Sequence, residues 1–362
     1  MQNKTRTGLG VAAAVLGVLC LAAAAILAWA VVPNRAQLPS DTNVQRQFSG
    51  TARLLLNPQA LATGQVGQAV LTNVPVTAQR TVQVVATDGN AAQVRDSRTL
   101  AAPNGQQLGG TQATYAVDRK TLEPPSSYPP SWNVIQQQGL TVSWPFGADK
   151  TDYTGWVNET QSTTPIKYLR EETRQGVNTY VYQANPTAQQ IKDPQVLSTL
   201  PQALPVSLLS VLSSSLPIPD DLRAQLAQAL PKLTEPVPLT YTYEAQTTYW
   251  VSPATGEVVD TQREEIRKAG LRLPSGQAVA AAIPIYDVTT GFTDASAKTA
   301  AQDAKDNANK IQLYGTTLPI ILLIVGVVAL IVAALVFLLP RPRELPGPVS
   351  PSPEPPTREP PS

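Results

Sequence analysis

The chain has 362 residues, 43% of them hydrophobic and 15% charged, with a formal net charge of +1 at pH 7. This balance gives no electrostatic reason to expect binding to nucleic acid. Histidine is absent, and the single cysteine, Cys20, lies in an apolar stretch, so imidazole bases, His- or Cys-ligated zinc and structural disulfides are excluded. We therefore predict no metal site and no cofactor.

Two apolar stretches without a charged residue, 9–32 and 318–339, lie near the ends of the chain. Each is long enough to cross the hydrocarbon of a bilayer as a helix, which takes about 20 residues. For the first stretch the alternative is a cleavable signal peptide, because Ala28-Trp29-Ala30 has the form of a cleavage site. The stretch is longer than the apolar part of such peptides, so we predict two transmembrane helices.

The charges that flank these helices predict their orientation. Lys4 and Arg6 precede the first helix, and Arg341 and Arg343 follow the second. Positive charges accumulate on the cytoplasmic side of a membrane. We therefore predict a two-pass protein of the cell membrane, with both termini in the cytoplasm and the central domain outside it.

The central residues, 33–293, have the patterns of a mainly β domain. Two strand-like sequences flank Asp88-Gly89-Asn90, which has the composition of a tight hairpin turn, and a second hairpin is predicted around 174–176. Residues 239–251 alternate with a period of two, which is typical of a strand. Residues 257–268 then return with many charges, which suggests a solvated or edge strand. The predicted fold is a β-rich sandwich or open barrel with a short helical insert, placed between two transmembrane α-helices.

The helical insert, 194–233, is predicted from short apolar segments that proline residues interrupt. Its large apolar side chains need cover, because soluble domains rarely expose so large an apolar patch. They either cap the open end of the β core, or form the mouth of an apolar cavity for a lipid or a docking site for a membrane partner. These candidate binding residues are Leu208, Leu209, Val211, Leu212, Leu216 and Ile218.

Three further segments complete the predicted organisation. Residues 294–317 form a predicted helix with few large apolar residues, which we interpret as a juxtamembrane stalk rather than part of a core. Residues 1–8 are the cytoplasmic N-terminus. Residues 340–362 are a proline-rich cytoplasmic tail that we predict to be disordered, with docking to a proline-binding module as the minor alternative.

One stretch, 144–157, concentrates aromatic residues in a chain that is only 6% aromatic. Trp144, Phe146, Tyr153 and Trp156 surround acidic and basic residues, as in some ligand sites. We favour a structural role in which Trp144 and Phe146 anchor a strand end in the core. The alternative is that all four form the rim of a ligand site.

No pattern in the sequence indicates catalysis. Nucleophile motifs such as Gly-x-Ser-x-Gly, and phosphate-binding glycine loops, are absent. The carboxylate pairs at 171–172, 220–221 and 264–265 are more typical of a solvated surface than of an acid/base pair. We predict no catalytic residues and a protein that is not an enzyme.

Several segments together resemble one family. They are LPSDTNVQRQFSGTARLLLNP after the first helix, TYAVDRKTLE at 114–123, the aromatic stretch continuing into YLREETRQGVNTYVYQ, and YWVSPATGEVVD at 249–260. These segments resemble the actinobacterial porin-A-like two-span envelope proteins, a family that includes the mycobacterial polar growth factor A. The resemblance implies a periplasm-facing β-rich domain between two membrane helices, with a role in the assembly of envelope lipid or lipoglycan. The word porin fits poorly, because an outer-membrane pore needs a closed barrel rather than helical spans.

Two functions are consistent with these patterns. The first is a non-enzymatic accessory protein that binds or traffics lipid in the actinobacterial envelope, with an envelope lipid or lipoglycan, and an envelope lipid transporter, as partners. The second is a scaffold of the cell-wall or polar-growth machinery that holds cell-wall proteins together.

Overall fold

The computed structural model describes residues 2–31, 36–57, 60, 65, 67, 69–215, 220–232, 236–272 and 278–339. The chain divides into two compact units: the helices at its two ends, and a domain formed by Val31–Leu313. Six α-helices are described, namely α1 Gln2–Ile26, α2 Pro194–Ser198, α3 Val206–Ser215, α4 Asp220–Ala229, α5 Asp294–Gln312 and α6 Leu318–Leu338. Short π-helical turns follow α1 at Leu27–Val31 and precede α6 at Leu313–Thr317.

The terminal helices α1 and α6 pack against each other through small residues. Gly17 of α1 faces Gly326 of α6, and a Cβ atom at Gly17 would lie 2.7 Å from the Cγ atom of Leu330. Small residues allow this close approach between helices in lipid. Near the other end of the pair, a Cβ atom at Gly10 would lie 3.0 Å from the ring of Phe337. The two helices therefore run antiparallel. Both helices are long and apolar enough to cross a membrane, which fits a two-pass membrane protein.

The described part of the domain contains twelve strands. They are β1 Asn43–Leu56, β2 Val70–Asp88, β3 Ala91–Ala101, β4 Gln107–Asp118, β5 Tyr153–Val157, β6 Ser162–Arg174, β7 Val177–Ala184, β8 Gln189–Gln190, β9 Ala203–Leu204, β10 Val237–Val251, β11 Val258–Arg272 and β12 Ala278–Phe292. Ten of them follow the order β4-β3-β2-β1-β12-β11-β10-β7-β6-β5, while β8 and β9 pair only with β10. This half-barrel, with a helix at each end of the chain, confirms the predicted mainly β fold.

The two edges of the half-barrel are connected by an irregular segment. Ile135 pairs with Tyr115 of β4, and Leu140 pairs with Gly155 of β5. Gly139 lies between them with φ +80°, a conformation that favours glycine, and a Cβ atom there would lie 2.3 Å from the carbonyl oxygen of Thr154. The segment therefore crosses from one edge strand to the other and encloses the concave side of the sheet.

The predicted hairpins are confirmed, but the edge assignment is wrong. Strands β2 and β3 meet at Asp88-Gly89-Asn90, and β6 and β7 meet at Gln175-Gly176. Strand β11 is not an edge strand, because it pairs along its length with β10 on one side and β12 on the other. The edges are β4 and β5.

Helix α5 belongs to the domain and is not a free-standing stalk. Its alanines Ala297, Ala300, Ala301 and Ala304 are buried, and the last two pack with Val259 of β11. Polar contacts reinforce this packing: Ser296 accepts a hydrogen bond from the backbone N–H of Gln47, and Asp303 pairs with Arg46 at 2.7 Å. The sequence was misleading because it has few large apolar residues here. Alanine is nevertheless suited to a buried helix, since its small side chain allows the helix to lie close against a sheet.

A capping substitution tests the importance of this helix. The side chain of Thr293 accepts a hydrogen bond from the backbone N–H of Ser296 at the start of α5. We expect Thr293→Ala to lower the free energy of unfolding by about 1 kcal/mol, the usual value of such a cap. Thr299→Ala, at an exposed position of the same helix, is the matched control and should change it much less. Chemical denaturation of the full chain in detergent, followed by tryptophan fluorescence, gives both values; equal losses would contradict the capping role.

Candidate functional site

The concave side of the half-barrel encloses a cavity of about 340 Å³. The strand registers decide which side chains reach it. On β11, Arg263, Glu265 and Arg267 stand opposite Thr247, Ala245 and Tyr243 of β10, and all six line the cavity. Three of the charged residues that suggested a solvated strand therefore point into the interior of the domain, whereas Glu264 and Lys268 lie on the opposite face.

One charged cluster, formed by Arg80, Asp96 and Arg98, lies on β2 and β3. Arg80 binds both carboxylate oxygens of Asp96, each at 2.9 Å, and Arg98 lies 3.3 Å from the second oxygen. The carboxylate of Asp96 is buried, with a side chain only 5% exposed. Burial alone would raise its pKa, but Arg80 and Arg98 outweigh that effect and hold the pKa at about 2. Asp96 is therefore fixed as an anion.

A second charged cluster, on β10 and β11, contains Tyr243, Arg263 and Glu265. Arg263 donates to the hydroxyl of Tyr243 at 2.6 Å and pairs with Glu265 at 3.0 Å, while the Tyr243 hydroxyl donates to Glu265 at 3.1 Å. Burial opposes ionisation of Glu265, yet the surrounding arginines hold its pKa below the usual range. Arg263 also lies 3.8 Å from Glu159. Ionic side chains from both sides of the half-barrel thus face one cavity.

The helical insert covers the apolar end of the same interior. Leu209 and Leu212 of α3 are buried and line a smaller apolar cavity of about 40 Å³, whose wall includes Ala269 and Leu271 of β11. Leu208 is partly buried against the same core, whereas Val211 is 47% exposed. The two remaining candidates, Leu216 and Ile218, lie outside the described residues. Leu56, Leu200 and Ile285 line both cavities, so the two spaces adjoin.

The predicted aromatic stretch forms the wall at another side of the larger cavity. Trp144 is buried, stacks on Tyr182 with ring centroids 5.2 Å apart, and lines the cavity. Trp156 also lines the cavity, and Tyr153 packs edge-on against Tyr182 at 5.7 Å. Phe146 is half-buried and does not line it. Trp144 therefore lies in the core as predicted, whereas Phe146 is not part of that core. Trp144 and Trp156 also face the cavity, but Phe146 and Tyr153 do not line it, and a ligand-rim role stays a prediction.

The turn between β10 and β11 holds this stretch in place. The backbone N–H of Trp144 donates to the carbonyl of Gly256 at 3.2 Å, and the hydroxyl of Ser143 donates to the same oxygen at 2.6 Å. Gly256 has φ +71°, and a Cβ atom there would lie 2.1 Å from the carbonyl oxygen of Trp144. Glycine at this position is what allows the two backbones to approach.

Sequence reasoning missed the interior arginines. A signal for them existed, since Arg263, Glu265 and Arg267 share the alternate positions of β11 with Ala269 and Leu271, which are buried. Continuing the period of two backwards from these apolar residues would have placed the charges inside. Among the described residues, no group of three or more His, Cys, Asp or Glu side chains could hold a metal ion.

Comparison with known proteins gives one informative match. Solved structures resemble the chain only weakly: peroxisomal multifunctional enzyme type 2 from Drosophila melanogaster is 13% identical over 73% of this chain and 40% of its own, with a TM-score of 0.13. A hot dog fold protein of unknown function from Alicyclobacillus acidocaldarius is 10% identical over 70% and 79%, with a TM-score of 0.12. Acyl-CoA thioesterase II TesB2 from Mycobacterium marinum is 10% identical over 69% and 81%, also with a TM-score of 0.12.

These TM-scores are too low to support any argument about fold or function, and the chain spans less than half of the Drosophila enzyme. A comparison with curated proteins gives no match. The sequence profile of the family described as Porin PorA, by contrast, matches residues 9–335. Because this match includes most of both apolar helices and the whole β domain between them, the chain belongs to the Porin PorA family of membrane envelope proteins.

Proposed function

We propose that this protein is a membrane-anchored accessory protein of the envelope that binds lipid in the interior of its extracytoplasmic domain and is not an enzyme. The observation that supports this most is the adjacency of two spaces in one interior: a cavity of about 340 Å³ and the apolar space beneath α3 and α4. Ligand pockets typically measure about 300 to 1,000 Å³. Each methylene group of an acyl chain that moves from water into the apolar end contributes about 0.8 kcal/mol.

The ionisation of the cavity supports a binding role over a catalytic one. A general base works best with a pKa near the working pH. Asp96 has a pKa of about 2, and the arginines hold that of Glu265 below its usual range against the opposing effect of burial. Neither carboxylate is poised to take a proton near neutral pH.

A cavity-filling substitution tests the proposal. Ala245 faces the cavity from β10, whereas its neighbour Gln246 is exposed on the opposite face. We expect Ala245→Trp to reduce the lipid that co-purifies with the full chain at least severalfold, because the indole occupies the space of the ligand. Gln246→Trp adds the same group outside the cavity and should leave the lipid content unchanged. Mass spectrometry of organic extracts, normalised to protein, measures both.

The result also separates the proposal from the scaffold alternative. A wild-type protein that carries no lipid, and takes up none from envelope extracts, would overturn lipid binding. If deletion of residues 340–362 then removed crosslinked cell-wall partners, the scaffold function would replace it.

A further inference from the structure

The charged side chains of the larger cavity do not balance. Among the described residues, four arginines and three carboxylates line it, which leaves one positive charge in excess. These residues are Arg80, Arg98, Arg263, Arg267, Asp96, Glu159 and Glu265. A buried charge is costly unless it is paired and hydrogen-bonded. An excess cation that faces this cavity indicates an anionic partner that the described residues do not supply.

Among the described residues, Arg267 is the one of these four arginines that makes no close ion pair, although the negative charge of Glu265, two residues away, also acts on it. Within the described part of the chain, no carboxylate lies at ion-pair distance from its guanidinium group, and its Nε atom is buried without a hydrogen-bond partner. Its guanidinium lies 4.6 Å from the ring centroid of Tyr286, which orients the group without neutralising it. The other arginines differ in their ion pairs, since Arg80 and Arg98 share Asp96 and Arg263 pairs with Glu265. The Nε atom of Arg263, like that of Arg267, is buried without a hydrogen-bond partner among the described residues.

The position of Arg267 along β11 relates it to the apolar end. The next two inward-facing residues of the strand are Ala269 and Leu271, and both line the apolar space beneath the helical insert. Because a strand rises about 3.3 Å per residue, Leu271 lies about 13 Å along the strand from Arg267. A molecule with one anionic end and an apolar tail would match this order of side chains.

We propose that the cavity selects an amphiphile with a phosphate or carboxylate group, and that Arg267 binds that group while the tail extends toward Leu271. This inference rests on the lipid-binding function proposed above and adds the charge class of the ligand. The planar guanidinium presents several donors in a fixed geometry that suits phosphate and carboxylate oxygens. Arg98, which shares its carboxylate with Arg80, faces the same cavity and adds positive potential.

The test compares matched probes on the full chain in a nonionic detergent: dodecyl phosphate, dodecanol and inorganic phosphate. Tryptophan fluorescence reports binding, because Trp144 and Trp156 line the cavity. We expect dodecyl phosphate to bind about tenfold or more tightly than dodecanol, as expected for a hydrogen-bonded charge pair. Arg267→Met should remove this preference and leave dodecanol binding within about twofold. Lys268→Gln changes the neighbouring cation, which pairs with Glu244, and should preserve the preference.

Each other outcome has a defined meaning. Equal affinities for dodecyl phosphate and dodecanol, unchanged by Arg267→Met, would overturn the anionic selectivity but leave lipid binding intact. Binding of neither amphiphile would overturn lipid binding itself. Inorganic phosphate that binds as tightly as dodecyl phosphate would identify a free-anion site and overturn the amphiphile. If Arg267→Met does not fold, Arg267→Lys provides the test: it keeps the charge without the planar donors and should retain only part of the preference, whereas full retention would exclude the guanidinium contact.

Discussion

Trp144→Ala is expected to lower the free energy of unfolding of the domain by about 3 to 5 kcal/mol, the usual cost of removing a buried tryptophan side chain. The indole is only 5% exposed and contacts two other rings, stacking on Tyr182 at 5.2 Å and meeting Tyr249 edge-on at 4.9 Å. Its removal leaves a void that also enlarges the larger cavity. Denaturant unfolding of the full chain, followed by far-ultraviolet circular dichroism, measures the loss.

Two comparisons make this result specific. Trp144→Phe keeps a ring in contact with Tyr182 and should lose less stability. Trp132→Ala removes a tryptophan that is partly exposed and stacks on Tyr128 at 6.2 Å, so it should also lose less. A Trp144→Ala protein with unchanged stability but weakened lipid binding would show that Trp144 belongs only to the rim of the site.

Asp96→Asn is expected to lower the free energy of unfolding by about 3 kcal/mol at neutral pH, because removal of one partner leaves other buried charges uncompensated. Arg80 loses a two-point contact, with both distances at 2.9 Å, and Arg98 loses the same carboxylate. Asp152→Asn is the control, since Asp152 forms an exposed pair with Lys167 and should leave the stability nearly unchanged. Equal losses in the two variants would contradict a special role for Asp96.

The pH dependence of stability gives an independent test of Asp96. Its pKa is about 2 in the folded protein and 3.8 ordinarily. Between these values the unfolded chain binds more protons than the folded chain, so stability rises with pH. The contribution of Asp96, about 2 kcal/mol, is therefore complete above pH 4 or so and is lost as the pH falls toward 2. Asp96→Asn should remove this part of the acid dependence.

The sequence predicted elements whose local pattern was strong. The hairpin turns at Gly89 and Gly176 need positive φ, and the apolar ends of the chain need lipid or cover, so these features follow from the residues themselves. The burial of α5 did not follow, because alanine carries little hydrophobic signal although it fits a close helix–sheet contact.

The candidate site was predicted only in its apolar part. The hydrophobicity of Leu209 and Leu212 was enough to predict them as candidates, and the structure places both at the smaller cavity. The charged part could have been predicted on β11, whose alternation places Arg263, Glu265 and Arg267 on the face of the apolar residues that follow, but the strands that flank β11 are not evident from its sequence. Pairing between Arg80 and Asp96 joins two strands, and the orientation of both toward Arg263 depends on the curvature of the whole sheet. No local pattern contains that information.

The place of β12 in the sheet determines when the sheet can be completed. Strands β1 to β4 form one continuous meander, and β5 to β11 form the other part of the sheet. Of the described strands, only β12, the last of them to leave the ribosome, pairs with both β1 and β11. Until it arrives, each half exposes an unpaired strand edge that is open to association with other chains. Completion of the domain thus coincides with synthesis of the segment that leads into the second apolar helix, and contacts so distant in sequence form slowly.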